Sequence, residues 1–297
     1  MSTPDISAVA AERRQLINLA YRMLGSLADA EDVVQDTYAR WYAMSPEQQA
    51  VVESPGAWLT KVASRICLDV LGSARVRRER YVGEWIPEPL PDQSPADPAD
   101  RVTLDESVSM AFLVVLESMT PAERVAFILH DVFRYPFTEV ADIVGRTPAA
   151  CRQLATAARR RLDSAQPSPA PATHLATVVR EFKQAWEAQD IPALVGLLDP
   201  DVTVVADGGG LVNTVVRPVQ GAEQVAQFAL YIATQAPGLT LVERTVNGQP
   251  GLVGRRDGVT VAVFAFELAG DLIRRVWAVR NPEKLAPWTA EDANPER

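Results

Sequence analysis

Residues 16–27 place apolar side chains at Leu16, Leu19, Ala20, Met23, Leu24 and Leu27, the i, i+3, i+4, i+7 spacing of a helix with one buried face. Ser26 and Asp29 can cap the next helix, LADAEDVVQDTYARWY, whose opening acids suit the positive end of a helix dipole. Val34, Tyr38, Trp41 and Tyr42 fall on one side of it, with the acids and Gln35 largely elsewhere. Ser54-Pro55-Gly56 breaks the chain before another helical run, AWLTKVASRICLDVLGSA. The pattern is helical again over 101–163. Thr120-Pro121-Ala122-Glu123 is a start signal, in which Thr caps, Pro fits the first position and Glu reaches back. FTEVADIVGRTPAACRQLATAARRRL then predicts a short helix ending at Gly145, a turn completed by Arg146 and Thr147, and a second helix opened by Pro148. This is a helix-turn-helix pattern. Cys151, Leu154, Ala158 and Leu162 would face the core, and Arg152, Gln153, Thr156 and Arg159 would face outward. The bland alternative is a plain helical hairpin.

Two proline-dense stretches punctuate the chain. Residues 84–100 contain Pro87, Pro89, Pro91, Pro95 and Pro98, an extended linker. A tryptophan and an isoleucine at its start mark it as a docking linker. SAQPSPAPAT (164–173) is the second linker and the sharper boundary. Beyond it, two helices (HLATVVREFKQAWEAQ and IPALVGLL) give way to β-branched runs, with hairpin signals at Asn247-Gly248, Asp257-Gly258 and Gly270-Asp271. Five or six strands after a helical start predict an α+β domain. The expected division is 1–83 and 101–163 as helical domains around the 84–100 linker, 174–290 as the α+β domain after the 164–173 linker, and 291–297 as a tail.

The length of 297 residues fits two or three domains. A composition 47% hydrophobic and 23% charged is that of a globular protein. No apolar run approaches the roughly 20 residues of a membrane span, and the first residues lack a secretory pattern, so a cytoplasmic protein without membrane association is expected. Two cysteines and two histidines exclude a disulfide framework and a Cys- or His-rich metal centre; no metal or cofactor is expected. The net charge of −9 speaks against a nucleic-acid partner until its distribution is read. Residues 29–36 hold four acids and no base, 61–80 hold six bases against two acids, and 146–163 hold five arginines against Asp163 alone. Two basic segments in an acidic chain fit DNA contact at defined places; taken singly, each could be a solvated helix end.

These segments resemble, in order, those of an extracytoplasmic-function (ECF) sigma factor. DAEDVVQDTYARWY resembles the family's polymerase-binding helix, PGAWLTKVASRICLDVLGSARVRRER its promoter-melting and −10 segment, and the helix-turn-helix at 137–162 its −35 reader. The rest is similar to the group with a fused C-terminal SnoaL-like domain of NTF2-like fold: WIPEPL (85–90), DGGG (207–210) and NPEKL (281–285) resemble its linker, glycine and terminal motifs, with Leu211 standing where the group carries lysine. The resemblance implies a multidomain fold, two all-α sigma domains followed by an α+β NTF2-like cone. It also implies an alternative sigma factor, not an enzyme, that engages the β and β′ subunits of core RNA polymerase and promoter DNA and is regulated in cis by its extension. Polymerase contact falls to Asp32, Val33, Gln35, Asp36, Tyr38 and Trp41. Contact with the −10 element and the melted strand falls to Lys61, Arg65, Arg75, Arg77, Arg78 and Arg80, and −35 contact to Thr138, Arg146, Thr147, Arg152, Gln153, Thr156, Arg159 and Arg160. Interdomain regulation falls to Trp85, Pro87, Glu88, Pro89, Asp207, Gly208, Gly209, Gly210, Asn281, Pro282 and Lys284. Trp58 is read as core, and Tyr81 and Trp85 either stack on bases or pack the linker.

Two other readings stay open. NTF2-like cones hold apolar pockets, and some relatives are isomerases or cyclases with a carboxylate base. Asp201, Asp207, Asp257, Asp271 and Tyr231 are candidates by type, with Trp186, Trp277 and Phe264 as lining, although turn and core roles explain them better and no Asp/His pair is visible. A small-molecule ligand without catalysis fits the pocket as well. The other reading is a ligand-controlled helix-turn-helix regulator without polymerase contact, which leaves the acidic 29–36 helix unexplained.

Overall fold

The computed structural model describes residues 6–78, 81–91, 108–165, 171–215 and 217–292. Side-chain placement is described for a smaller set, from 12 to 73 and from 81 to 289 within those stretches. The chain forms two compact units, one from the described parts of 1–79 and 115–165, the other from those of 80–95, 104–114 and 166–297.

The first unit is helical: α1 (Ile6–Leu24), α2 (Leu27–Tyr42), α3 (Pro46–Ala50), α4 (Pro55–Arg78), the end of α5 (Met110–Glu117), α6 (Pro121–Phe127), α7 (Phe137–Val144) and α8 (Pro148–Ala165). Ser26 caps α2 by accepting from the Asp29 N–H. Thr120 and Glu123 form a reciprocal capping box at α6. Of the stripe predicted from spacing, Leu16, Leu19, Ala20, Met23 and Leu24 are buried on α1, joined by Ile17, whereas Leu27 is half-buried and opens α2. Beyond α6 the chain widens into a single π-turn, Ile128–Val132, where His130 stacks on Phe137 with ring centres 3.7 Å apart. Gly145 then ends α7 in the left-handed conformation (φ 70°), and Thr147 caps α8 through the Ala150 N–H.

Arg124 of α6 is buried in this unit. It donates to the Met23 carbonyl at the end of α1 (2.9 Å) and pairs with Glu117 (2.7 Å). Burial pulls its pKa down to about 9, so it stays charged at neutral pH.

The second unit holds α9 (Ala172–Glu187), α10 (Ile191–Leu197), β1 (Leu198–Asp207), β2 (Val219–Gln220), α11 (Ala222–Gln235), β3 (Thr240–Val246), β4 (Gln249–Arg256), β5 (Val259–Ala269), β6 (Leu272–Val279) and α12 (Ala286–Asp292). The six strands make one sheet in the order β2-β1-β6-β5-β4-β3, antiparallel except for the β1–β6 pair. The hairpin turns are the predicted ones: Asn247 (φ 51°) with Gly248, Asp257 (φ 53°) with Gly258, and Gly270.

Strand alternation gives the sheet two different faces. Val204, Leu252, Phe266 and Val276 join one core with Leu175, Val178 and Phe182 of α9 and Val225 and Ala226 of α11. Val253, Val263, Ala265, Trp277 and Val279 form a second core on the opposite face with Ile86, Met110, Leu285 and Trp288. The fold is thus a helical unit containing a helix-turn-helix and an α+β unit built on one six-stranded sheet, the two classes expected from the sequence. Among the described residues no helix is long and apolar enough to cross a membrane, and no group of three or more His, Cys, Asp or Glu could hold a metal.

Candidate nucleic-acid interface and docked linker

On α2, Asp32, Gln35 and Asp36 are exposed, with Asp36 4.0 Å from Arg40. Val33, read from the sequence as part of the same polar surface, is instead fully core, 2% exposed. Its neighbour Val34 is buried too, so two adjacent valines point inward and the exposed face is narrower than the spacing suggested. Tyr38 is half-buried and stacks on Tyr42, while Trp41 packs against Trp58 with ring centres 5.2 Å apart.

Lys61 and Arg65 lie on the same side of α4, four residues apart. Within the first unit both converge on Asp142 of α7. Lys61 Nζ bonds its carboxylate, and Arg65 Nη2 donates to its backbone carbonyl at 2.8 Å. The Lys61 hydrogen bond, then its charge, holds the Asp142 carboxyl below the usual carboxylate range. Asp142 was not singled out by the sequence; an exposed acid on the first helix of a helix-turn-helix carries no pattern. The side chains of Arg75, Arg77 and Arg78, and Arg80 altogether, lie outside the described residues.

In the helix-turn-helix, Thr138, Arg146, Thr147, Arg152, Gln153, Thr156 and Arg160 are exposed. Arg152 lies over the Phe137 ring, and the Thr156 hydroxyl donates back to the Arg152 carbonyl. Arg159 departs from the outward reading. Its guanidinium forks onto Asp131 at 2.7 and 3.1 Å, tying α8 to the π-turn.

The docked linker is built wholly within the second unit. Residues 86–91 are buried, and Ile86 packs on the face of the sheet opposite α9 and α11. Its anchor is Asp207, fully buried at the end of β1. Each carboxylate oxygen accepts twice: Oδ1 from the Tyr81 hydroxyl (2.6 Å) and the Gly209 N–H (3.0 Å), Oδ2 from the Ile86 N–H (3.0 Å) and Lys284 Nζ (2.7 Å). Lys284 also donates to the Ile86 carbonyl and sits 4.1 Å from the Trp85 ring centre. Asn281 Nδ2 donates to the Tyr81 hydroxyl, and its backbone N–H, with that of Arg280, donates to the Asp207 carbonyl. Further along, Leu90 and Asn247 exchange two bonds, the Trp288 indole N–H donates to the Pro89 carbonyl (2.8 Å), and Pro91 bridges to Val246. Burial, then the hydrogen bond to Asp207, pushes the Tyr81 hydroxyl pKa up.

The glycines of DGGG are small because neighbours occupy the space of a side chain. A Cβ on Gly208 would lie 2.6 Å from the Val212 carbonyl oxygen, and one on Gly209 (φ 64°) 2.5 Å from the Asn281 amide. Gly210 (φ 72°) faces Val82. Tyr81 and Trp85 therefore pack the linker. Of the enzyme candidates, Asp207 is this anchor and Trp277 belongs to the core on the linker's face of the sheet, whereas Tyr231, Trp186 and Phe264 line the domain's cavity. The Asp/His pair that the sequence hid does exist: His174 Nε2 at the start of α9 and Asp271 Oδ1 in the β5–β6 turn stand 3.0 Å apart, and neither is among the cavity's lining residues.

A helical unit with a helix-turn-helix, joined to a cone that grips the segment between its two halves, defines a sigma-type transcription factor. Residues 8–80 match the Sigma-70 region 2 family and residues 109–162 the Sigma-70, region 4 family. The chain belongs to the ECF RNA polymerase sigma factors. It is 40% identical to the ECF RNA polymerase sigma factor SigJ of Mycobacterium tuberculosis, over 95% of this chain and 93% of that one. It is 35% identical to a probable ECF RNA polymerase sigma factor, SigI, of the same organism, over 97% of both. The crystal structure of Mycobacterium tuberculosis SigJ matches with a TM-score of 0.77 at 35% identity, covering 95% of this chain and 99% of that chain.

Proposed function

We propose that this sigma factor works in the cytoplasm, binding the β and β′ subunits of core RNA polymerase and reading promoter DNA, with its NTF2-like domain setting its activity in cis through the docked linker. The observation that carries this is the Asp207–Lys284–Tyr81 anchor, a buried ionic cluster whose donors come from the linker on one side and the terminal motif on the other. A spacer with no regulatory task has no need of four hydrogen bonds to one buried carboxylate. Asp32, Gln35 and Asp36 supply the polymerase-facing polar surface, with Tyr38 and Trp41 beside them. Lys61, Arg65, Arg75, Arg77, Arg78 and Arg80 serve the −10 region, and Arg146, Thr147, Arg152, Gln153, Thr156 and Arg160, with Thr138, the −35 element. The domain's cavity serves this reading as a binding site: of the carboxylate and tyrosine candidates for a base, only Tyr231 is among its described lining residues. A ligand there that favours one state of the domain would shift promoter output.

Run-off transcription with bacterial core polymerase tests this, comparing the full chain, a chain ending at Ala165, and the full chain with Trp85→Ala and Pro87→Ala. Polymerase-dependent transcripts whose yield changes with truncation and with the linker variant are expected. Equal yields from all three would overturn regulation in cis. Promoter binding by the free protein without any transcription would favour the ligand-controlled regulator.

A further inference from the structure

The face of the sheet that packs against α9 and α11, opposite the linker, bounds a cavity of about 610 Å³. That is within the range of small-molecule sites, ~300–1,000 Å³. Small residues create the space. Ala206, Ala262 and Ala278 line it on β1, β5 and β6, whereas the next residues along β5 and β6, Val263, Trp277 and Val279, fill the opposite face. Phe182 and Trp186 of α9 and Phe228 of α11 close the other side. The Trp186 indole N–H is already spent on the Ala229 carbonyl, so these rings offer apolar surface.

Two cations break this apolar lining, and both lie at one end. Ala262 pairs with Gly254 on β4, Val263 with Val279 on β6. Arg280 is therefore one step beyond a paired residue on one side of β5, and Arg256 two steps beyond Gly254 on the other. Both line the cavity. The Arg280 guanidinium donates to the Asn213 carbonyl at the rim. Among the described residues neither arginine has a carboxylate partner. Burial, then the nearby Arg256 charge, lowers the Arg280 pKa, so the site holds unrelieved positive charge beside an apolar chamber.

We propose that this cavity binds an amphiphilic carboxylate, its head group shared by Arg280 and Arg256 and its hydrocarbon body among the aromatic and alanine side chains. A guanidinium offers paired donors that match a carboxylate's two oxygens. An alcohol of the same chain would leave both cations without an anion. A cationic amphiphile would add a third like charge. The inference deepens the regulatory reading by naming the ligand class. It is tested by binding alone, so its failure and that of transcriptional regulation are separable.

The test is calorimetric titration of the full-length protein with decanoate and with 1-decanol, repeated on Arg256→Gln, on Arg256→Gln with Arg280→Gln, and on Ala278→Phe. Decanoate should bind saturably at one site, with decanol weaker by about tenfold or more, the difference expected from charge-assisted bonds. Both glutamine variants should narrow that ratio toward one through weaker decanoate binding, and Ala278→Phe should abolish both ligands. Arg256 is exposed, so its variant tests the head-group site even if the double variant fails to fold. Equal affinity for decanoate and decanol, an unchanged ratio in Arg256→Gln, or no saturable binding of either would overturn the proposal.

Discussion

Asp207 is the residue on which the linker depends. Four donors point at its two oxygens, two at each. Asn in its place would keep the shape but present one acceptor, and its amide N–H groups would face two of those donors. Lys284 would also lose its buried counter-charge. Asp207→Asn should therefore destabilise the protein by about 3 kcal/mol, the cost of breaking a buried pair from one side. Adding Lys284→Met should recover a large part of that loss, because no orphan charge is then left. Thermal melting of the two variants, with proteolysis of the 81–91 segment as a local readout, checks both. A single variant as stable as wild type would show that the anchor is ornamental.

At the scale of the element, α8 carries two kinds of arginine that look alike in the sequence. Arg159 is a clamp, forked onto Asp131 across the π-turn. Arg152 stands exposed over Phe137 and is available to DNA. Arg159→Ala should lower stability by about 1 kcal/mol, a value kept small because the pair is partly exposed. Arg152→Ala should leave stability within about 0.5 kcal/mol and weaken −35 DNA binding, with a reduced salt slope if its contact is a phosphate. Melting curves and salt-dependent binding assays on both variants separate the two roles. The opposite assignment would be seen as a stability loss confined to Arg152→Ala.

Across the first unit, the cations proposed for the −10 region are held by an acid of the helix-turn-helix: Lys61 and Arg65 meet at Asp142. If α4 contacts DNA as proposed, phosphates and Asp142 compete for the same charges, and the clasp has to open for that contact. Asp142→Asn should raise promoter affinity several-fold at low salt and lose that advantage at high salt, where exposed pairs are already screened. The sign with pH follows from the lowered carboxyl pKa. The clasp is charged and intact at neutral pH, and is lost only as pH falls through that depressed value and the carboxylate protonates. Promoter-binding titrations of holoenzyme at two salt concentrations read the effect; equal affinities for Asp142→Asn and wild type at low salt would remove the clasp from the mechanism.

Local rules carried the elements. Capping at Ser26, Thr120 and Thr147, the left-handed Gly145, and the Asn-Gly and Asp-Gly hairpins depend on neighbours within four residues, and so they are legible in the chain itself. The order of helical segments and the change to period-two patterning after 173 likewise displayed the fold class, and the linker, glycine and terminal motifs announced a docked segment. Long-range pairing was not legible. Asp142 with Lys61, Arg124 with Met23, Arg159 with Asp131 and Arg256 beside Arg280 join residues 24 to 101 positions apart, and a charged side chain reads the same whether it will meet a carboxylate, a carbonyl or water. Val33 failed for a related reason: the width of a helix's buried stripe is set by the neighbours that pack on it, here on both sides of α2. Sequence by itself determined the capped helices, the hairpins and their order, but not the π-turn, α3, α11 or α12, none of which the hydrophobic spacing predicted; the tertiary structure alone decided which charges are paired, because that depends on distances across the fold that no local period encodes.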